Sequence, residues 1–175
     1  MNASRLTFVT GGARSGKSGF AQRLAEGCPG ELLYLATSGL GDAEMARRIA
    51  LHQKARGERW TTLEEPLDLA GRLPGAALGK GAVLVDCVTL WLTNLFFHHG
   101  ENEIAALAEV DLLIAVLPQV AAPLFLVSNE VGQGIVPENR LARAFRDLAG
   151  TVNQRLAAAA DEAWLVVSGI PVKLK

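Results

Sequence analysis

The chain has 175 residues, half of them apolar, which is enough to bury a substantial core in one domain and argues against disorder. Lysine and arginine number 17 against 18 aspartate and glutamate, a net charge of −1, so no global field draws nucleic acid or anionic lipid. Two cysteines, Cys28 and Cys87, offer neither metal-ligand spacing nor a disulfide framework, and MNASRLTFVTGG has no leader pattern, so the expected compartment is the cytoplasm.

LTFVTG (6–11) is the first predicted strand, short and nearly continuous in apolar residues, as suits burial on both faces. It runs directly into GGARSGKS (11–18), which fits G-x-x-x-x-G-K-[ST] in the strand-to-helix setting that motif requires. Gly11 and Gly16 permit a tight turn, so that the amides of Gly12, Ala13, Arg14, Ser15 and Gly16 can face phosphate oxygens. Lys17 adds a mobile charge at the β- and γ-phosphates, and Ser18 offers a hydroxyl to Mg²⁺. A helix is predicted over 17–27, a second strand over LLYLAT (32–37) and a helix over 42–56.

No element is assigned to the connector at 67–81. AVLVDC (82–87) is the third predicted strand. Its Asp86 is read as the second magnesium anchor, with capping of a helix that starts near Thr89 as the alternative. Cys87 reads as a small buried hydrophobe. Helices are predicted over 89–98 and 103–120, and His98 and His99 read as helix-end residues interacting with terminal carbonyls. The apolar stretch VDLLIAVLPQVAAPLFLV (110–127) is cut by Asp111, Gln119 and two prolines, which argues against a membrane span. LFLVSN (124–129) is the fourth strand. The helix over 138–161 follows, with Leu141, Phe145, Leu148, Val152 and Leu156 at helical spacing. AWLVVSG (163–169) is the fifth strand, and PVKLK can add a last short one.

Strand–helix alternation predicts an α/β chain of the P-loop NTPase type: a mostly parallel sheet with helices on both faces, one domain over 1–175. Such sheets bind ligands at the carboxyl ends of their strands. That rule gathers Gly11–Ser18, Thr37 and Ser38, Asp86, and Asn129 with Glu130 onto one edge. The guanine-selecting N-K-x-D signature is missing, since SNEV (128–131) does not match it. A signalling switch is therefore disfavoured, and a small-molecule kinase or nucleotidyltransferase remains.

Five stretches together resemble one family: VTGGARSGKS (9–18), YLATS (34–38), DAEMARRIALHQKARGERWTTLEEP (42–66), LVDCVTLWLTNLFF (84–97) and the run from SNEVGQGIVPENRLARAFRD to the end (128–175). The family is the bifunctional adenosylcobinamide kinase / adenosylcobinamide-phosphate guanylyltransferase of cobalamin biosynthesis. The resemblance implies a RecA-like sheet, a trimer and two reactions. The first phosphorylates the aminopropanol hydroxyl of adenosylcobinamide with ATP or GTP. The second transfers GMP from GTP to adenosylcobinamide phosphate through a GMP-histidine, and the matching histidine is His52.

A neutral imidazole suits that role, because an unperturbed histidine with a pKa near ~6.5 is mostly uncharged in the cytoplasm. Carried over residue by residue, nucleotide contacts fall on Gly11–Ser18, Thr37, Ser38, Gly39, Gln53, Lys54, Ala55, Arg56 and Glu64, with Asp86 beside the metal. Some members have Glu at the place of Asp86, and many have a second histidine where this chain has Leu51. Thr61 and Thr62 read as turn or strand polar residues. NEVGQGIVPENR (129–140) is read either as a loop that packs on a neighbouring subunit or as part of the corrinoid or catalytic site, with Glu130 a candidate acceptor for the hydroxyl proton. The competing functions are a monofunctional P-loop kinase of another small alcohol and a nucleotide-dependent regulatory protein.

Overall fold

A computed structural model describes residues 5–38 and 57–175, and within them seven strands form one sheet. These are β1 (Leu6–Gly11), β2 (Leu32–Ala36), β3 (Trp60–Glu64), β4 (Ala82–Asp86), β5 (Leu124–Asn129), β6 (Glu162–Val167) and β7 (Ile170–Lys173). Their order is β3-β2-β4-β5-β1-β6-β7. Every neighbouring pair is parallel except the closing hairpin of β6 and β7.

The central strands are buried almost throughout, which is why their sequences read as continuous apolar runs. Alternate side chains leave on opposite faces. Phe8, Leu33, Leu35, Val83, Val85 and Leu126 enter one core, whereas Val9, Leu32, Tyr34, Leu84 and Val127 enter the other. Helix α1 (Lys17–Glu26) covers the second face with Phe20, Ala21 and Ala25. The first face is covered by α2 (Leu69–Ala76), α3 (Val88–His98), α4 (Glu103–Val116) and α5 (Arg140–Ala159). The expected α/β sheet with helices on both faces is thus the observed one.

Departures from the sequence reading have local causes. β3 is an edge strand with one neighbour, β2, and its WTTLE is half polar because both faces stay partly open. The unassigned connector contains α2, whose Gly71, Pro74 and Gly75 hide it from any propensity argument. It forms because the Asp68 carboxylate accepts the Gly71 amide at 2.9 Å and because Leu69 and Leu73 are fully buried. The 103–120 helix stops at Val116 and tightens into a 3-10 turn at Leu117–Gln119, around Pro118. β6 ends at Val167, two residues early, because Ser168 (φ 52°) and Gly169 (φ 82°) make the two-residue turn into β7.

His99 does not bond a terminal carbonyl through Nε2. That atom lies 3.7 Å from the Glu109 carboxylate on α4 and has no hydrogen-bond partner, because the ring is turned towards α4 and stacked edge-on with His98. The predicted 42–56 helix lies outside the described residues.

Candidate functional site

The loop between β1 and α1 is shaped by backbone. A Cβ on Gly11 would stand 2.5 Å from the Val166 carbonyl and 2.6 Å from Ser15 Oγ, so no side chain fits there. Gly16 takes φ 94° as the residue before α1 and gives the helix no side-chain cap. Amides of the first turn are therefore left for an anion. The loop is closed by Ser15 N donating to Gly12 O at 3.2 Å, and propped from below by Gly169 N donating to Ser15 O at 2.8 Å. A cavity of about 290 Å³ lies against Arg14, Ser15, Gly16, Lys17, Ser18 and Gly19.

Lys17 is 7% exposed and its Nζ donates to Gly12 O at 3.1 Å. Burial pulls its pKa below the usual lysine value, with Cys87 and Asp86 opposing that shift. An ammonium held in a poorly solvated place beside unclaimed amides is preset for a multiply charged anion.

Asp86 ends β4, two strands from β1, or about 10 Å across the sheet at ~4.8 Å per strand. Its Oδ2 accepts from the Tyr34 hydroxyl at 3.2 Å. The capping alternative is not what the fold uses: Cys87 occupies the N-cap of α3, with no side-chain bond to the helix. Asp86 and the half-buried Ser18 offer hard oxygen donors, which suit Mg²⁺. Among the described residues no cluster of three His, Cys, Asp or Glu could hold a metal alone. A magnesium ion here would rest on these two side chains and on phosphate oxygens, as such ions usually do. Burial, aided by Asp86, pushes the Cys87 thiol up to about 11, so it stays protonated near neutrality and is no nucleophile.

Thr37 is fully buried and its hydroxyl is already engaged, donating to Cys87 O at 2.7 Å and accepting from Cys87 N at 2.9 Å. Asn94 adds a bond to Thr37 O at 2.8 Å and another to Pro66 O at 3.0 Å. Thr37 thereby ties the end of β2 to the end of β4, and Ser38 follows half-buried. Glu64 is exposed at the end of β3, with three strands between it and β1, about 19 Å away on the same spacing. The sheet therefore brings the Gly11–Ser18 loop and Asp86 together and holds Glu64 apart. Gly39, His52, Gln53, Lys54, Ala55 and Arg56 lie outside the described residues.

A second set of polar groups, missed by sequence reasoning, fixes the tip of β5. Thr89 Oγ1 accepts the Asn129 amide at 2.7 Å and stands 3.2 Å from Ser128 Oγ. Ser128 donates to Asn153 Oδ1 at 2.6 Å, and Asn153 Nδ2 donates to Asn129 O at 3.1 Å. Glu130 N then donates to Gly11 O at 3.0 Å, joining this tip to the first residue of the phosphate loop. The available signal was Asn153 itself, an amide on the face of α5 that buries Ala149 and Leu156.

Comparisons with known proteins agree with one another. A family model described as "Cobinamide kinase / cobinamide phosphate guanyltransferase" matches residues 7–174. The chain is 50% identical over 181 residues to a bifunctional adenosylcobalamin biosynthesis protein CobU of Salmonella typhimurium, covering 97% of this chain and 99% of that one. It is 49% identical over the same length and coverage to the CobU of Escherichia coli. A bifunctional adenosylcobalamin biosynthesis protein CobP of Pseudomonas aeruginosa is 42% identical over 168 residues, with 96% of each chain covered. Among solved structures the RadB recombinase superposes with a TM-score of 0.53 at 18% identity, over 92% of this chain and 73% of that one, a likeness of fold.

Proposed function

The chain belongs to the cobinamide kinase / cobinamide phosphate guanyltransferase family, and from that premise we propose that one nucleotide site, anchored on Gly11–Ser18, serves two successive reactions. The enzyme is a kinase and guanylyltransferase of cobalamin nucleotide-loop assembly. The observation that carries the single-site reading is the backbone-shaped cradle with Lys17 buried at its floor.

In the first reaction the aminopropanol oxygen of adenosylcobinamide attacks the γ-phosphorus of ATP or GTP. The bridging P–O bond breaks and a nucleoside diphosphate leaves, its growing charge met by Lys17 and the loop amides. In the second, the neutral imidazole of His52 attacks the α-phosphorus of GTP and displaces pyrophosphate. A phosphate oxygen of adenosylcobinamide phosphate then takes the GMP from His52, giving adenosylcobinamide-GDP. Magnesium, held by Ser18 and Asp86, would supply charge neutralisation at the phosphates. Thr37, Ser38, Gly39, Gln53, Lys54, Ala55, Arg56 and Glu64 are assigned to the rest of the nucleotide. The working unit is taken as a cytoplasmic homotrimer of the one-domain chain.

The test is GTP labelled at the α-phosphate. Wild-type protein should acquire an acid-labile, base-stable label, and His52→Ala should lose it while still phosphorylating adenosylcobinamide. Label persisting in His52→Ala overturns the assignment of the nucleophile.

A further inference from the structure

On the face opposite α1 a cavity of about 410 Å³ is lined by Phe8, Thr10, Glu130, Gln133, Gly150 and Asn153, among others. It is separate from the space over the phosphate loop yet adjoins it through the backbone. Thr10 is the residue before Gly11, and Glu130 N donates to Gly11 O at 3.0 Å. A reactant in this cavity would approach the phosphates from the side that α1 does not occupy.

The lining states what it can take. A volume of this size holds a small ligand or one arm of a large one, and a corrin macrocycle with its side chains exceeds it. The amide of Gln133 and the apolar side chains of Ala157 and Leu174 suit a chain of methylenes interrupted by an amide. Of the residues that line it none is cationic, and Glu130 is the one charged side chain. That excludes a second triphosphate site, because a phosphate needs compensating charge or free amides. The Glu130 carboxylate is held in place at the phosphate-loop end, its Oε1 accepting the Gly132 amide at 2.8 Å.

We propose that this cavity is the acceptor subsite of the kinase step: it takes the neutral, amide-linked alcohol arm of the substrate, with the ring outside, and turns the hydroxyl towards Glu130. The proposal rests on the kinase reading given above. As the alcohol oxygen bonds to the γ-phosphorus and the bridging P–O bond breaks, the electron pair leaves with the nucleoside diphosphate and the hydroxyl proton passes to the Glu130 carboxylate. Once Glu130 has released that proton to solvent, its restored charge repels the anionic phosphorylated product.

Gly150→Leu tests the cavity. Gly150 lies inside α5 with nothing within 4 Å of where a Cβ would stand, so leucine fills the space and favours the helix. The KM for adenosylcobinamide in the kinase step should rise by at least ~10-fold, on the scale of excluding a substrate group from its pocket. The affinity for GTP and the yield of GMP-histidine, which needs no acceptor, should stay as in wild type and report an intact fold. Glu130→Gln should lower kinase kcat about 100-fold with the KM for adenosylcobinamide little changed. An unchanged acceptor KM in Gly150→Leu overturns the subsite, as does parallel loss of GTP binding. A wild-type protein that never phosphorylates adenosylcobinamide overturns the functional reading and the subsite with it, a result separable from one seen only in the variants.

Discussion

Two loops leave the centre of the sheet side by side, and they are built by opposite means. The loop after β1 is fixed mainly by backbone groups: Gly12 O takes Ser15 N, and Gly169 N supports Ser15 O from the hairpin turn, with the Lys17 ammonium as the one side chain added at Gly12 O. The loop after β5 is fixed by side chains at its two feet. Thr89 and Asn153 hold Asn129 at one end, while Asn139 and Arg143 hold the other. Between those feet Ile135 is 96% exposed and Val136 is 57% exposed. An anion is recognised by aligned amides, so the first loop has to have its shape before the ligand arrives. A carbon-rich acceptor is recognised by surface, which a loop pinned only at its ends can supply.

The largest effect should come from the backbone-built loop. Lys17→Ala is expected to lower kinase kcat by about 100- to 1,000-fold, the usual scale for removing one preset charge-stabilising donor. Stability of the nucleotide-free protein should not fall with it. Burial holds the Lys17 pKa below 10.5, so between that lowered value and 10.5 the unfolded chain binds more protons and wild-type stability rises with pH. The variant should lack that rise. Thermal melts across alkaline pH, paired with kinase rates, check both halves; a variant that loses stability at neutral pH would mean Lys17 holds the loop together.

How far these two loops could be read in the sequence follows from the same contrast. Backbone recognition leaves a spelled-out trace, because Gly11 and Gly16 are obligatory where a Cβ would collide or φ is positive. Strands β1 and β5 were equally legible, being buried on both sides. Side-chain recognition leaves almost none: Thr89 and Asn153 are 64 residues apart (153 − 89), and only folding brings them to one strand tip. β3 escaped notice because an edge strand lacks the continuous apolar run, and α2 because tertiary burial of Leu69 and Leu73 outweighs its proline and glycines. Asp86 was legible as a strand-end acid, but its Tyr34 partner was not, since that pairing crosses from β2 to β4.

An intermediate effect is expected at the near foot of the second loop. Asn153→Ala removes the acceptor of the buried Ser128 hydroxyl and a donor to the half-buried Asn129 carbonyl. Unsatisfied buried polar groups cost about 1–3 kcal/mol, which urea denaturation will resolve. Kinase turnover should fall because Asn129, which leads into Glu130, loses its side-chain anchor, whereas GTP affinity should not. Equal loss of GTP affinity would show that the two loops are one unit.

The smallest effect belongs to the far foot. Arg143 Nη1 donates to Pro137 O at 2.9 Å and also bonds Glu138 O, which turns the end of the loop onto the first turns of α5. These carbonyls remain near solvent, so water can replace the guanidinium once it is gone. Arg143→Ala should therefore cost about 0.5–1 kcal/mol, near the lower half of the range for a hydrogen bond exchanged with water. The local consequence should exceed the global one: amide exchange over 131–139 should speed up while the β5 amides keep their protection. The Asn139 cap, which accepts from Ala142 N at 3.1 Å, still starts the helix in that variant. Hence a cost approaching that of Asn153→Ala would mean that the far foot carries the β5 tip as well, and the loop would then be as preset as the one it faces.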